Sequence, residues 1–177
     1  MSATLPGVPI RKRNLTTFTA TAVCALALSA CGSDPGPPQP ATPAQRAAYI
    51  AKGDAVCAAY NTLARQLRRQ LTQRRAQVIA DLSLKPYAAP LSIARDGAKA
   101  AIVQFKAIDV PAGDEARIRT QTDAMTQQQQ LLAKLTSATD ANNAAGFKPL
   151  NDRLVSAGAD ERRLAAAYGF KQCGRRS

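Results

Sequence analysis

The residues with the widest chemical reach in this chain are its four cysteines, Cys24, Cys31, Cys57 and Cys173, in 177 residues that contain no His and no Trp. A thiol can be a nucleophile, an acylation site, a metal ligand or half of a disulfide, and its surroundings decide which. Without His there is no Ser-His-Asp or Cys-His relay and no His-ligated zinc. No two cysteines are spaced as Cys-x-x-Cys, so that redox or zinc arrangement is missing too. Gly-x-Gly-x-x-Gly, P-loop, Gly-x-Ser-x-Gly, zincin and EF-hand patterns are also missing. The acidic residues are scattered. Asp160-Glu161, followed by Arg162-Arg163, reads as a surface charge cluster. Asp54 sits one step off an apolar seam and reads as a surface or helix-contact acid, with a partly buried acid as the alternative. No catalytic residue and no metal site is expected. An enzyme working with carboxylates alone is the remote alternative, and it needs two acids facing each other across a cleft.

Cys31 stands in a context of its own. Arg11, Lys12 and Arg13 form a basic cluster, and Asn14 to Ser33 carries no charge. Within it, Leu15 to Leu28 is apolar but diluted by Thr16, Thr17, Thr19 and Thr21. A membrane-spanning helix needs about 20 predominantly apolar residues, so this stretch suits the core of an export signal better. It ends in Leu28-Ser29-Ala30-Cys31, an aliphatic residue, two small ones and a cysteine. That run resembles the lipobox of bacterial lipoproteins. The resemblance implies cleavage between Ala30 and Cys31 and a diacylglyceryl group on the Cys31 thiol, with further acylation giving a stable anchor. Two alternatives stay open: ordinary cleavage after Ala25-Leu26-Ala27, and an uncleaved anchor helix. The covalent lipid on Cys31 is the only cofactor-like group expected.

With Cys24 discarded and Cys31 acylated, Cys57 and Cys173 remain. In an exported chain an even remainder favours pairing, because disulfides persist in oxidising spaces. A bridge closing more than a hundred residues contributes about 4–5 kcal/mol on the chain-entropy model. The alternative is two unpaired buried thiols.

The elements that must position these groups are helical. Gly32 to Pro43 is too rich in proline for helix or strand and reads as an extended spacer of roughly 35–40 Å. Beyond it the chain is rich in Ala and Gln and has no alternating strand pattern. Thr42-Pro43 starts a first helix running to about Leu82, with a seam of Ile50, Cys57, Tyr60, Ala64, Leu67, Leu71, Val78 and Leu82. Gly53 and Arg74-Arg75 are places where it would bend or fray. Lys85-Pro86-Tyr87 interrupts it, and Pro90 is placed as the first residue of a second helix, which Val110-Pro111 stops. Asp114 caps a third helix with the seam Ile118, Thr122, Met125, Leu132 and Leu135. The run Gln127 to Gln130 reads as a solvated face. Asp140 opens a fourth helix along Phe147, Leu150, Leu154, Ala157, Leu164 and Tyr168. Pro149 kinks it or moves its start to about Lys148, and Gly169 ends it. The expected architecture is therefore all-α: an up-down four-helix bundle behind a disordered, signal-bearing N-terminal segment. Residues 1–30 are the signal, 31–43 the lipidated Cys and tether, and 44–174 the bundle. Its core is expected to be Leu, Ile and Ala. In that topology Cys57 and Cys173 come to the same end.

The bundle also resembles small exported helical proteins of high-GC actinobacteria that carry a cysteine early in helix 1 and a Tyr-Gly-x-x-x-Cys tail. The matching residues are Gly53-Asp54-Ala55-Val56-Cys57 and Tyr168-Gly169-Phe170-Lys171-Gln172-Cys173-Gly174. That resemblance implies no activity and no catalytic residue.

The net charge is +12, and it falls to +9 once Arg11, Lys12 and Arg13 leave with residues 1–30. Arg65, Arg68, Arg69, Arg74 and Arg75 form the one basic run with implications for a partner. Arg65 and Arg69 lie opposite the apolar stripe, and Arg68 and Arg75 lie at its edge. Solvated arginines with snorkelling stems account for this. The alternative is contact with lipid headgroups or an anionic envelope polymer. Nucleic acid is poorly motivated, because no aromatics interleave with the arginines. The expected function is a non-enzymatic binding or scaffolding protein, anchored by lipid on the extracytoplasmic face of the membrane. Its partner there is an unidentified protein or small ligand. A carrier of a small apolar or amphipathic ligand held between helices is the alternative.

Overall fold

The computed structural model describes residues 39–175. These form four helices: α1 (Pro43–Asp81), α2 (Ala88–Lys106), α3 (Glu115–Asp140) and α4 (Ala144–Tyr168), with a single 3₁₀ turn at Lys85–Tyr87. No strand occurs among the described residues. The signal-bearing segment, including the disorder expected of it, lies outside them.

Each helix starts and stops for a local reason. The Thr42 hydroxyl accepts the Gln45 N–H (3.2 Å) and the Gln45 side chain accepts the Thr42 N–H (2.8 Å), a capping box ahead of Pro43. Gly53 does not bend α1. It is a point of close approach, since a β-carbon there would lie 2.5 Å from the Phe170 ring and 2.9 Å from Phe105. The helix ends at Leu82, whose φ of 47° is left-handed and costs a non-glycine residue about 1 kcal/mol. Leu82 does not continue the seam, as it is 88% exposed.

The start of α2 differs from expectation. The Lys85–Tyr87 turn feeds directly into the helix, so Pro90 is its third residue rather than its first. Proline is tolerated there because the first four N–H groups of a helix have no intrahelical partner. The start of α4 also differs. Asp140 is the last residue of α3, and Asn143 is the cap, its side chain accepting the Gly146 N–H at 3.0 Å. Asn142, at φ 52°, makes the turn between them. Pro149 lies inside α4 rather than at its start, and it forgoes one bond to the carbonyl of Ala145. Gly169, at φ 113°, ends α4 as expected, with Phe170 N–H on the Ala165 carbonyl and Gly169 N–H on that of Ala166.

Successive helices pack in sequence order, α1 on α2, α2 on α3 and α3 on α4. The connectors meet as well. Leu84 N–H donates to the Asn142 side chain (2.6 Å), and Ala41 N–H donates to the Ala112 carbonyl (2.9 Å). Buried Ala41 therefore belongs to the folded body, which begins slightly before the expected end of the tether.

The core has two centres. One is aliphatic, built on Leu91, Leu132 and Leu135 with Leu71, Leu150 and Leu154 against it. The other is aromatic, contrary to expectation. Tyr49, Phe105, Tyr168 and Phe170 pack with centroids 5.2–6.0 Å apart around Ile118 and the cysteines. Such pairs contribute about 0.5–1.5 kcal/mol each beyond the area they bury.

Candidate functional site

The C-terminal tail is fastened to α1 by two devices. Cys57 and Cys173 form a disulfide with their Cα atoms 5.1 Å apart, closing a sequence separation of 116 residues. One turn before Cys57, the Asp54 carboxylate accepts the backbone N–H groups of Lys171 (2.9 Å), Gln172 (2.6 Å) and Cys173 (3.3 Å). Asn61, two turns further along the same line, donates to the Gln172 carbonyl at 2.9 Å. Asp54 is half-buried and meets the C-terminal tail rather than another helix. Its contact is a three-pronged clamp on peptide groups that no helix or strand satisfies.

A second polar centre ties the start of α1 to α3 and α4. Asp114 is 2% exposed and stands at the cap position of α3, yet its carboxylate makes no capping bond. It instead receives Arg46 Nε (2.6 Å) and a terminal Arg46 nitrogen (3.0 Å), with the Tyr168 hydroxyl at 2.9 Å. The Arg46 hydrogen bond holds the Asp114 carboxyl below the usual carboxylate range, against the opposing effect of burial. Tyr168 is pushed up by burial and by Asp114, and Arg117 stacks over its ring at 5.2 Å. Tyr49 beside it is 2% exposed, and burial pushes its phenol up to about 12. The Tyr49 hydroxyl has no hydrogen-bond partner among the described residues.

The third polar centre overturns a reading. Asp160 is exposed and pairs with Arg163 at 3.0 Å, but Glu161 is buried between α3 and α4. Gln121 donates to it, Gln128 packs against Gly158 one turn earlier on α4, and burial raises the Glu161 pKa. Gln128 is therefore part of this interface, while Gln127 and Gln130 of the same run are exposed. The Gln121 carbonyl oxygen has no partner among the described residues. Asp114 and Glu161 do not face each other: Asp114 stands two turns of α3, about 10 Å, from the Gln121 that holds Glu161.

A cleft of about 300 Å³ opens where α2 ends and α3 begins. Tyr49, Phe105 and Ile118 form its apolar floor, and Lys106, Arg119 and Glu115 line it. Neither Lys106 nor Arg119 makes an ion pair with a described residue. Among the described residues no group of three or more Cys, Asp or Glu is placed to hold a metal ion.

All five arginines of the basic run are exposed. Arg74 donates to the Pro86 carbonyl (3.0 Å) and Arg65 to the Thr62 hydroxyl (3.0 Å), and none of the five makes an ion pair with a described residue. Leu28, Ser29, Ala30 and Cys31 lie outside the described residues, and no described helix is long and apolar enough to cross a membrane.

Asp114, Arg46, Tyr49, Gln121 and Glu161 are the polar centres that pattern reading passes over. Two carry a signal. Glu161 falls four residues after Ala157 and three before Leu164, so the α4 seam runs through it. Gln121 and Gln128 fill the same kind of gap between Ile118, Met125 and Leu132. No known protein family, curated protein or solved structure matches the chain.

Proposed function

We propose that this is an exported lipoprotein: a helical domain anchored to the extracytoplasmic face of the cell membrane through Cys31, where it binds or scaffolds rather than catalyses. The run Leu28-Ser29-Ala30-Cys31, behind a basic cluster and an apolar stretch of signal length, carries the reading. The Cys57–Cys173 disulfide supports export, because such bonds persist in oxidising compartments. Its nearest oxygen acceptors and donors serve the tail and not a reacting group. The domain is an up-down bundle in this reading. Leu84 bonded to Asn142 puts the α1–α2 and α3–α4 connectors together, and Ala41 bonded to Ala112 puts the start of α1 beside the α2–α3 connector. Replacing Cys31 with Ala releases the protein from membranes. A variant that stays in the membrane fraction at high salt contradicts the lipid anchor.

A second reading, a carrier of a small amphipathic anion, is favoured by the cleft beside Tyr49. Its floor is apolar, and among the described residues Lys106 and Arg119 make no ion pair and the buried Tyr49 hydroxyl has no partner. Its volume of about 300 Å³ matches the small end of ligand pockets. Isothermal titration with dodecanoate tests it: saturable binding that Lys106→Ala abolishes supports a carrier, and the absence of heat removes it.

A further inference from the structure

We infer that the outer face of the second half of α1 is a docking surface for an anionic phospholipid bilayer, with Arg65, Arg68 and Arg75 on the headgroups and Ile79 and Leu82 reaching the acyl boundary. The inference rests on the anchored-lipoprotein reading and adds to it a face, an orientation and a lipid class.

The argument starts from the helical wheel. At 100° per residue, Arg65, Arg68, Arg75 and Ile79 fall within about 80° of one another, on a single stripe, and the exposed cap residue Leu82 follows directly at its end. The same line, followed toward the start of α1, passes through Asn61 and Asp54, and there the C-terminal tail covers it. Beyond Asn61 the line is bare. Ile79 is 62% exposed and Leu82 88% exposed, the two most exposed large aliphatics of α1 and its cap. The three arginines make no ion pair with a described residue, so their charge is unspent. The stripe sorts the basic run. Arg74 points to the other side and holds the Pro86 carbonyl, and Arg69 falls off the stripe.

The chemistry of the stripe selects its partner. Arginine alone would serve an acidic polymer or a headgroup equally. Exposed Ile and Leu at the end of the arginine row gain nothing from a soluble polyanion, but they gain by entering the boundary between headgroups and acyl chains. The Arg75 guanidinium, one to two turns away, and those of Arg68 and Arg65, about three to five turns away, then lie at the phosphates, where each cation adds to the affinity. The helix is about 58 Å long, and the Cys31 lipid enters from its Thr42 end. A protein held at that end and resting on the stripe lies with α1 along the membrane.

The chain has no Trp, so a single introduced one reports its own surroundings. The mature lipidated protein carrying Leu82→Trp is reconstituted into vesicles of phosphatidylcholine, or of equimolar phosphatidylcholine and phosphatidylglycerol, with brominated acyl chains. The expected result is blue-shifted emission and bromine quenching on the anionic vesicles and neither on the zwitterionic ones. Arg65→Gln/Arg68→Gln/Arg75→Gln lowers the ratio of docked to free protein on the order of 100-fold, and the quenching is lost. Val155→Trp, exposed on α4, stays unquenched on both. Equal quenching on the two vesicle types, quenching at position 155, or none at position 82 overturns the inference. A position-82 emission change on dextran sulfate without quenching on vesicles assigns the face to an acidic polymer and overturns it as well. Loss of the anchor reads differently, as failure of the protein to stay with zwitterionic vesicles at all.

Discussion

Removing the disulfide should cost this protein more than any other change to its tail. The perturbation is Cys57→Ala with Cys173→Ala, which deletes the covalent link and leaves no buried hydroxyl. For a sequence separation of 116 residues the chain-entropy relation gives about 4.8 kcal/mol at 25 °C. The native geometry adds to the case for a full effect. The tail is already seated by Asp54, Asn61 and Phe170, so closing the bond orders little that is not ordered without it. The assay is urea unfolding followed by far-ultraviolet circular dichroism, on the oxidised protein, the reduced protein and the double variant. With an m-value of about 2 kcal/mol per M, the midpoint falls by roughly 2.5 M, and reduced and double-variant proteins agree. Adding Asp54→Ala to the double variant should then free Lys171 to Gly174 and speed hydrogen exchange at those amides. In the oxidised protein the same substitution costs only about 1–2 kcal/mol, because the bond keeps the tail near α1. A midpoint that moves by less than about 0.5 M on breaking the bond would refute the reasoning.

Other outcomes follow from the buried polar groups and the close contacts. Glu161→Gln should stabilise the protein at neutral pH, because burial raises the native carboxyl above its unfolded value of 4.5. Ionised Glu161 costs stability that is lost progressively as pH rises from about 4.5, and the variant's urea midpoint should be flatter with pH over that range. Asp114→Asn should destabilise by about 2 kcal/mol, since one buried carboxylate serves both Arg46 and Tyr168. Asp114 has a depressed native pKa, so its contribution is complete above the unfolded value of 3.8 and is lost as pH falls below it. Denaturation profiles of wild type and Asp114→Asn should therefore converge in acid and separate at neutral pH. Gly53→Ala should cost about 1–3 kcal/mol in thermal unfolding, because the new methyl meets two aromatic rings.

The helices were legible in the sequence because their signals are local. Thr42-Pro43, the three- and four-residue spacing through Leu67 and Leu71, and Gly169 all act within one or two turns. So the all-α class and most element ends follow from periodicity and caps. The start of α4 was misplaced because Asp140 and Asn143 are both good caps. Asn142 decides between them by adopting a left-handed turn that composition does not mark. The disulfide is legible through the cysteine count and the placement of both partners at one end of the expected bundle. The polar centres were not, for a physical reason. Asp114 has the credentials of a cap and spends its carboxylate on Arg46, 68 residues earlier in the chain. Glu161 looks like a surface charge because its neighbours Asp160 and Arg162-Arg163 are charged. Only the packing of α4 on α3 shows that it faces Gln121. Phe170 lies past the last helix, where periodicity has nothing to say, yet it completes the aromatic centre.

The anchor claim is tested most directly by mass spectrometry of the N-terminal peptide from membrane-extracted protein. The account predicts a peptide that begins at Cys31 and carries a diacylglyceryl group on its thiol, with Met1 to Ala30 gone. A first residue of Leu28, an unmodified Cys31 thiol, or an intact Met1 would contradict it.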